Sequence, residues 1–357
     1  MNRIHATKFM VFVVILSFVI TYFIPLGTIL AAQPEDEIVV HPMHVSQLAN
    51  SFVSAGYSPS QIRTAYGLPS SGGAGATIAI IDAYDTPSIT NDLTVFSNQS
   101  NLPLPTANNF EIHKMSANLG TDNNWALEAC LDVEWAHAIA PEATILLVET
   151  ASSSSNDLLS AVNYARSQPG VVAVSMSWGG SEFSSESAYN QDFNSTSGIV
   201  FFASSGDNGA GVIWPSSSPN VVAVGGTTLR LNSGGSVFSE TAWSESGGGV
   251  SAYEAIPAYQ TSYGLTNSGR SVPDVSYNAN PATGFAVYCD SSWYKVGGTS
   301  AGAPQWAAIQ ALGLSATNAN LYEDAKLVYT SYFRDITSGS NGGYNATIGY
   351  DCVTGVR

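Results

Sequence analysis

Thr77-Ile78-Ala79-Ile80-Ile81-Asp82 is a short run with four apolar residues in a row, closed by an acid. It is too short for a buried helix and lacks the alternation of a half-exposed strand. It therefore reads as a strand covered on both faces, as in a parallel sheet. Residues 143–149, 171–178, 199–204 and 221–224 repeat the pattern. Helix-like segments fall between and after them, at 125–139, 156–166 and 305–312. The second of these puts Leu158, Leu159, Val162 and Ala165 on one face. Alternating strands and helices predict an α/β fold, a doubly wound and mostly parallel sheet with helices on both faces. Sites in such sheets form outside the carboxyl ends of the strands. Asp82, Ser177-Trp178-Gly179-Gly180 and Asp207 all fall at such ends. From 229 to 300 the composition shifts to Gly, Ser and Tyr, which predicts longer loops and shorter strands.

The 357 residues are 45% hydrophobic, enough for a sizeable core, but only 11% charged. The surface must be built mostly from uncharged polar side chains. A net charge of -16 argues against nucleic-acid binding, which favours basic patches. A surface with few ionisable groups loses little in acid.

Arg3, His5 and Lys8 precede a nearly unbroken apolar run, 9–30, and the small pair Ala31-Ala32. Residues 1–32 read as a signal peptide or, because the run is long enough to span a bilayer, as a membrane anchor. Either way the rest is expected outside the cell. Residues 33–60 read as a short pro-region or N-terminal extension, and 61–357 as one main domain. The three cysteines allow at most one internal bridge. Cys130 sits in an apolar helix and reads as a buried free thiol. Cys289 and Cys352 are then the candidate pair.

Three segments carry chemistry. Glu128-Ala129-Cys130-Leu131-Asp132 places two carboxylates on one helix face. Two neighbouring carboxylates resist ionising together, so one acquires a raised pKa and can accept a proton in mild acid. Gly297-Gly298-Thr299-Ser300-Ala301-Gly302-Ala303-Pro304 sets a serine among small residues ahead of a helix. It suits a nucleophile that a base activates, and equally an ordinary helix cap. Ser205-Gly206-Asp207-Asn208-Gly209 puts an acid in a turn after an apolar strand. Protonated, that acid could donate to a developing oxyanion; alone, it is an ordinary turn. The histidines supply no base: His5 lies in the leader, His41 and His44 precede the domain, His113 lies in a polar loop-like stretch, and His137 occupies a different helix face from Asp132.

Taken together, Glu128 to Asp132, Ser205 to Gly211 and Gly298 to Pro304 resemble, in order, the three signature segments of the sedolisins, the serine-carboxyl peptidases. The resemblance covers residues 60–357 and implies a subtilisin-like fold. It implies Ser300 as nucleophile, Glu128 as general base, Asp132 as its supporting acid and Asp207 as the oxyanion acid. By the same resemblance Asp82 and Trp178 would extend the proton network. The backbone of Ser177, Trp178, Gly179 and Gly180 would pair with an extended substrate. A Ca2+ site would take carboxylates from Asp335 and Asp351 and carbonyls from Ile336, Thr347 and Gly349, although Thr347 stands where relatives usually carry glycine. The expectation is a secreted, monomeric, acid-active endopeptidase acting on proteins or peptides. The alternative is an inactive surface or binding protein that keeps the fold.

Overall fold

The computed structural model describes residues 38–194 and 198–356. The leader assigned to residues 1–32, with its apolar stretch 9–30, lies outside them, as do residues 33–37. Among the described residues no helix is long and apolar enough to cross a membrane.

The described chain begins with two short strands, β1 (His41–Pro42) and β2 (Val45–Ala49), and a helix, α1 (Pro59–Tyr66). Strands and helices then alternate: β3 (Thr77–Ala83), α2 (Ile89–Ser100), β4 (Phe110–Lys114), α3 (Asn123–Ile139), β5 (Thr144–Thr150), α4 (Ser155–Ala165) and β6 (Val171–Met176). Next come β7 (Trp178–Ser181), β8 (Val200–Ser204), β9 (Ile213–Trp214), β10 (Val221–Leu231), β11 (Val237–Ala242) and β12 (Gly249–Val250). Helix α5 (Ala258–Tyr263), β13 (Ser271–Val272) and β14 (Val275–Asn278) follow. A hairpin of β15 (Phe285–Cys289) and β16 (Ser292–Gly297) leads into α6 (Gly302–Ala311) and α7 (Asn318–Tyr332).

The main sheet runs β11-β10-β8-β6-β3-β5-β4, with β14 also joined to β10. Every pairing in it is parallel except β10 with β11. Both faces are covered, which is why its strands read as unbroken apolar runs. Ile78 and Ile80 of β3 face one core cluster with α3 and α6, whereas Ala79 and Ile81 face a second with α4. Helix α3 starts on the carboxylate of Asp122, which accepts from the amides of Asn124 and Trp125. It ends at Ile139, just ahead of Pro141, which cannot continue a helix. Leu131, Val133 and Trp135 are all fully buried, each worth about 1.5–3 kcal/mol or more in transfer free energy. The helix is therefore fixed to the core by apolar packing while two carboxylates ride on it.

Two features depart from the sequence reading, and a third bears on the site. Residues 110–114, taken as loop-like, form the edge strand β4, where only the outer strand's half-exposed, charged positions mask the pattern. His113 stacks there on Tyr164, with ring centroids 3.7 Å apart. The run 171–178 breaks at Ser177, and β7 leaves the main sheet to join β1 and β9. Residues 38–49 pack into the same compact unit as the rest of the described chain.

Candidate active site

Helix α3 carries Glu128 and Asp132 one turn apart, both fully buried. Ser177, at the carboxyl end of β6, donates its hydroxyl to Asp132 Oδ1 at 2.8 Å. Ser300 sits in the tight turn between β16 and α6, also fully buried. Its hydroxyl donates to the Ser177 carbonyl at 3.1 Å. It also lies against Glu128 closely enough to oppose the rise in that acid's pKa. Asp207 follows β8. Its Oδ1 accepts from both the amide and the hydroxyl of Thr299, each at 2.8 Å. Its Oδ2 is buried with no hydrogen-bond partner. Glu128, Asp132, Asp207, Ser177 and Ser300 are thus brought into one cleft at the carboxyl edge of the sheet.

Burial dominates the electrostatics. It raises Glu128 and Asp132 well above the usual carboxylate range, and the Asp207 charge pushes Glu128 further while the Glu128 charge does the same to Asp132. Asp207 is pushed up to about 7, chiefly by burial, against the two Thr299 hydrogen bonds. Asp82, at the end of β3, is raised by burial and then by Asp132, Glu128 and Glu149. Neither of its oxygens finds a hydrogen-bond partner. The indole of Trp178 does not bridge to that carboxyl; it donates to the Ile81 carbonyl at 2.9 Å.

The cleft is filled by the chain's own N-terminal segment. β1 pairs antiparallel with β7, His41 opposite Gly179 and Pro42 opposite Trp178. The Met43 amide donates to the Ser177 carbonyl at 3.1 Å, and the Met43 carbonyl accepts from the Ser300 amide at 3.1 Å. Gly298, at φ 119°, makes this fit possible: a Cβ there would collide with the Met43 oxygen, Asp207 Oδ2 and the His44 Cα. The next residue, His44, places Nδ1 2.5 Å from Glu128 Oε2. Burial lowers that imidazole to about 4, against the Asp207 charge, and raises Glu128 well above the carboxylate range, so burial favours the uncharged form of each partner. His44 is therefore corrected from a residue ahead of the domain to one inside the site. No local pattern signals it, because its partner lies 84 residues away. Thr299 and the Ser177 side chain were likewise not singled out. His137 behaves as expected, bonding the Pro103 carbonyl at 2.8 Å.

The terminal loop holds Asp335 and Asp351. Asp335 accepts from the Tyr329 hydroxyl at 3.0 Å and from the Gly349 amide at 3.3 Å. Asp351 accepts from the Thr347, Val353 and Thr354 amides. Among the described residues, the carbonyls of Ile336, Thr347 and Gly349 accept no hydrogen bond. Carboxylates and backbone carbonyls are hard oxygen donors of the kind that Ca2+ takes. Cys130 is a buried free thiol, as expected, but Cys289 and Cys352 do not pair: Cys289 lies against Cys130, with sulfurs 2.6 Å apart, whereas Cys352 contacts Tyr350 and Ser271.

The model of the subtilase family matches residues 115–337. Sedolisin from Pseudomonas sp. (strain 101) is 28% identical over 84% of this chain and 59% of its own length. Kumamolisin from Bacillus sp. (strain MN-32) is 32% identical over 86% of this chain and 63% of its own. The chain thus spans about three fifths of the length of these curated relatives. The structure of Pseudomonas sedolisin, a serine-carboxyl proteinase complexed with two molecules of pseudo-iodotyrostatin, matches with a TM-score of 0.76 at 30% identity, covering 84% of this chain and 94% of that one. The match in fold and in sequence places the chain in the subtilase family, in its sedolisin branch.

Proposed function

We propose that the chain is a serine-carboxyl endopeptidase that hydrolyses peptide bonds of proteins or peptides in acid. The observation that carries this reading is the extended segment 38–44. It pairs with β7 and presents the Met43 carbonyl to the Ser300 amide, as a bound substrate would.

In the proposed reaction Ser300 Oγ attacks the carbonyl carbon and its proton passes to Glu128. Asp132, held by Ser177, keeps Glu128 in place and shares its charge. The oxygen that becomes negative is met by the Ser300 amide and by Asp207, whose free Oδ2 faces the same point. Thr299 fixes Oδ1 as the acceptor, so a proton on Asp207 belongs on Oδ2 and can be donated. Glu128 then returns its proton to the leaving amine. Water attacks the acyl-enzyme by the same route in reverse. Asp207 must be neutral, which holds below about pH 7. Glu128 must be ionised, which sets an acid limit. With segment 38–44 displaced, solvent would relieve the burial that raises Glu128, and the two demands would then leave an optimum in the acid range. A fold kept only for binding would have no use for this set of four side chains.

Backbone groups of Ser177, Trp178, Gly179 and Gly180 would hold the substrate strand. Asp82 acts as a further buried acid, coupled through charge to Asp132 and Glu128 rather than through Trp178. Asp335 and Asp351, with the carbonyls of Ile336, Thr347 and Gly349, would hold Ca2+, which ties the terminal loop to the end of α7. The leader at 1–32 would direct the protein out of the cell, where it would act as a monomer. The test is hydrolysis of a denatured protein at pH 3–6 by wild type and Ser300→Ala. Activity that survives in Ser300→Ala would remove Ser300 from the mechanism.

A further inference from the structure

We propose that Cys130 and Cys289 form a disulfide in the working protein, fastening the helix that carries Glu128 to the hairpin that delivers Ser300. Both cysteines are buried, and their sulfurs stand 2.6 Å apart although the residues are 159 positions apart in the chain. Cys130 lies two residues after Glu128 on α3. Cys289 closes β15 at the tip of the β15–β16 hairpin, opposite Ser292. Asp290 and Ser291 make the turn, both at positive φ, and the Asp290 amide donates to Asp92 Oδ2 of α2 at 3.1 Å. The hairpin also lies along α3 through two polar contacts. Trp135 Nε1 donates to the Ala286 carbonyl at 2.9 Å, and the Tyr288 amide donates to Glu134 at 3.0 Å. The two sulfurs are thus held face to face by elements already fixed on each other.

The chemistry favours a covalent bond over a bound metal. Asp92, Cys130 and Cys289 do form a cluster of potential ligands. Two thiolates on one tetrahedral zinc, with bonds of about 2.3 Å, stand about 3.7 Å apart, well beyond this sulfur separation. The cluster also offers three ligands only, inside a core closed to water. Formation of the bond breaks two S–H bonds and makes one S–S bond. A low-molecular-weight disulfide such as oxidised glutathione takes the two electrons and two protons and leaves as two thiols. Burial pushes the Cys130 thiol up, so exchange belongs to folding, before α3 closes on the hairpin. From Cys289 the chain runs back along β16, whose outer edge pairs with β2, and then through Gly298 to Ser300. The bond therefore sets the separation between the Glu128 helix and the strand that ends at the serine.

The test uses the full chain, exported into oxidising medium or refolded with reduced and oxidised glutathione. Thiols are titrated in denaturant, and a non-reducing digest is mapped by mass. The expected result is one titratable thiol, Cys352, and a linked pair of peptides containing Cys130 and Cys289. Three free thiols, a link to Cys352, or stoichiometric zinc in the purified protein would each overturn the proposal. Cys130→Ser and Cys289→Ser should each lower the thermal midpoint by about 5–10 °C, and the double variant no further. If these variants do not fold, the wild-type titration and map decide alone.

Discussion

The carbonyl oxygen of Met43 accepts a hydrogen bond from the backbone amide of Ser300 at 3.1 Å, so the peptide bond between Met43 and His44 lies beside the residue proposed as nucleophile. The same segment pairs with β7 and puts the His44 imidazole on Glu128. In this arrangement the chain blocks its own cleft and offers one of its own bonds for cleavage. Incubation in acid should therefore produce a new N-terminus at His44, read by N-terminal sequencing or intact mass. Ser300→Ala should stay uncut. Cleavage only at other positions would show that the segment is not seated productively.

Asp207 provides a sharper test of the oxyanion role. Asn at 207 can still accept from Thr299 through its carbonyl and donate through its amide, at every pH. Asp207→Asn should keep most of the wild-type kcat/KM in acid and lose the fall that wild type shows as pH rises through about 7. Asp207→Ala should cost about 100-fold or more in kcat throughout. An Asn variant as poor as the Ala variant would place the role of Asp207 elsewhere.

Stability should fall as pH rises, the reverse of what paired surface carboxylates produce. Folding raises Glu128, Asp132, Asp82 and Asp207 above their unfolded values, so the folded state holds protons that the unfolded chain releases. Their contribution is complete in acid, below the ordinary carboxylate range, and for Asp207 is lost as pH rises from there through about 7. The thermal midpoint should drop by about 5 °C or more between pH 4 and pH 8. A midpoint that climbs over that interval would contradict the buried, neutral acids.

The terminal loop predicts a calcium effect. Adding Ca2+ should raise the thermal midpoint of the chelated protein, and Asp335→Asn or Asp351→Asn should abolish that rise. A rise of equal size in these variants would locate the ion elsewhere.

The sheet was legible because β3, β5, β6 and β8 are buried on both faces and so read as continuous apolar runs. Strand β4 was not, since Glu111, Ile112 and Lys114 are exposed at the sheet's edge. The two acids on α3 were readable from their spacing in a helix with almost no polar face. His44 and the pairing of Cys289 were not, because each depends on a partner distant in sequence. A one-dimensional pattern carries periodicity, but contacts across 84 or 159 residues exist only once the chain is folded. The Trp178 indole shows the same limit: the resemblance implied a link to Asp82, and the fold gives the indole to the Ile81 carbonyl instead.

The central claim is that a carboxylate, not an imidazole, takes the proton of Ser300. It is tested most directly by the pH dependence of kcat/KM for wild type and Glu128→Gln on a peptide substrate, after removal of residues 38–43. The account predicts a wild-type maximum below pH 6 and a loss of about 1,000-fold or more in Glu128→Gln at every pH. A wild-type maximum above neutral pH, or a Glu128→Gln enzyme within tenfold of wild type, would contradict it.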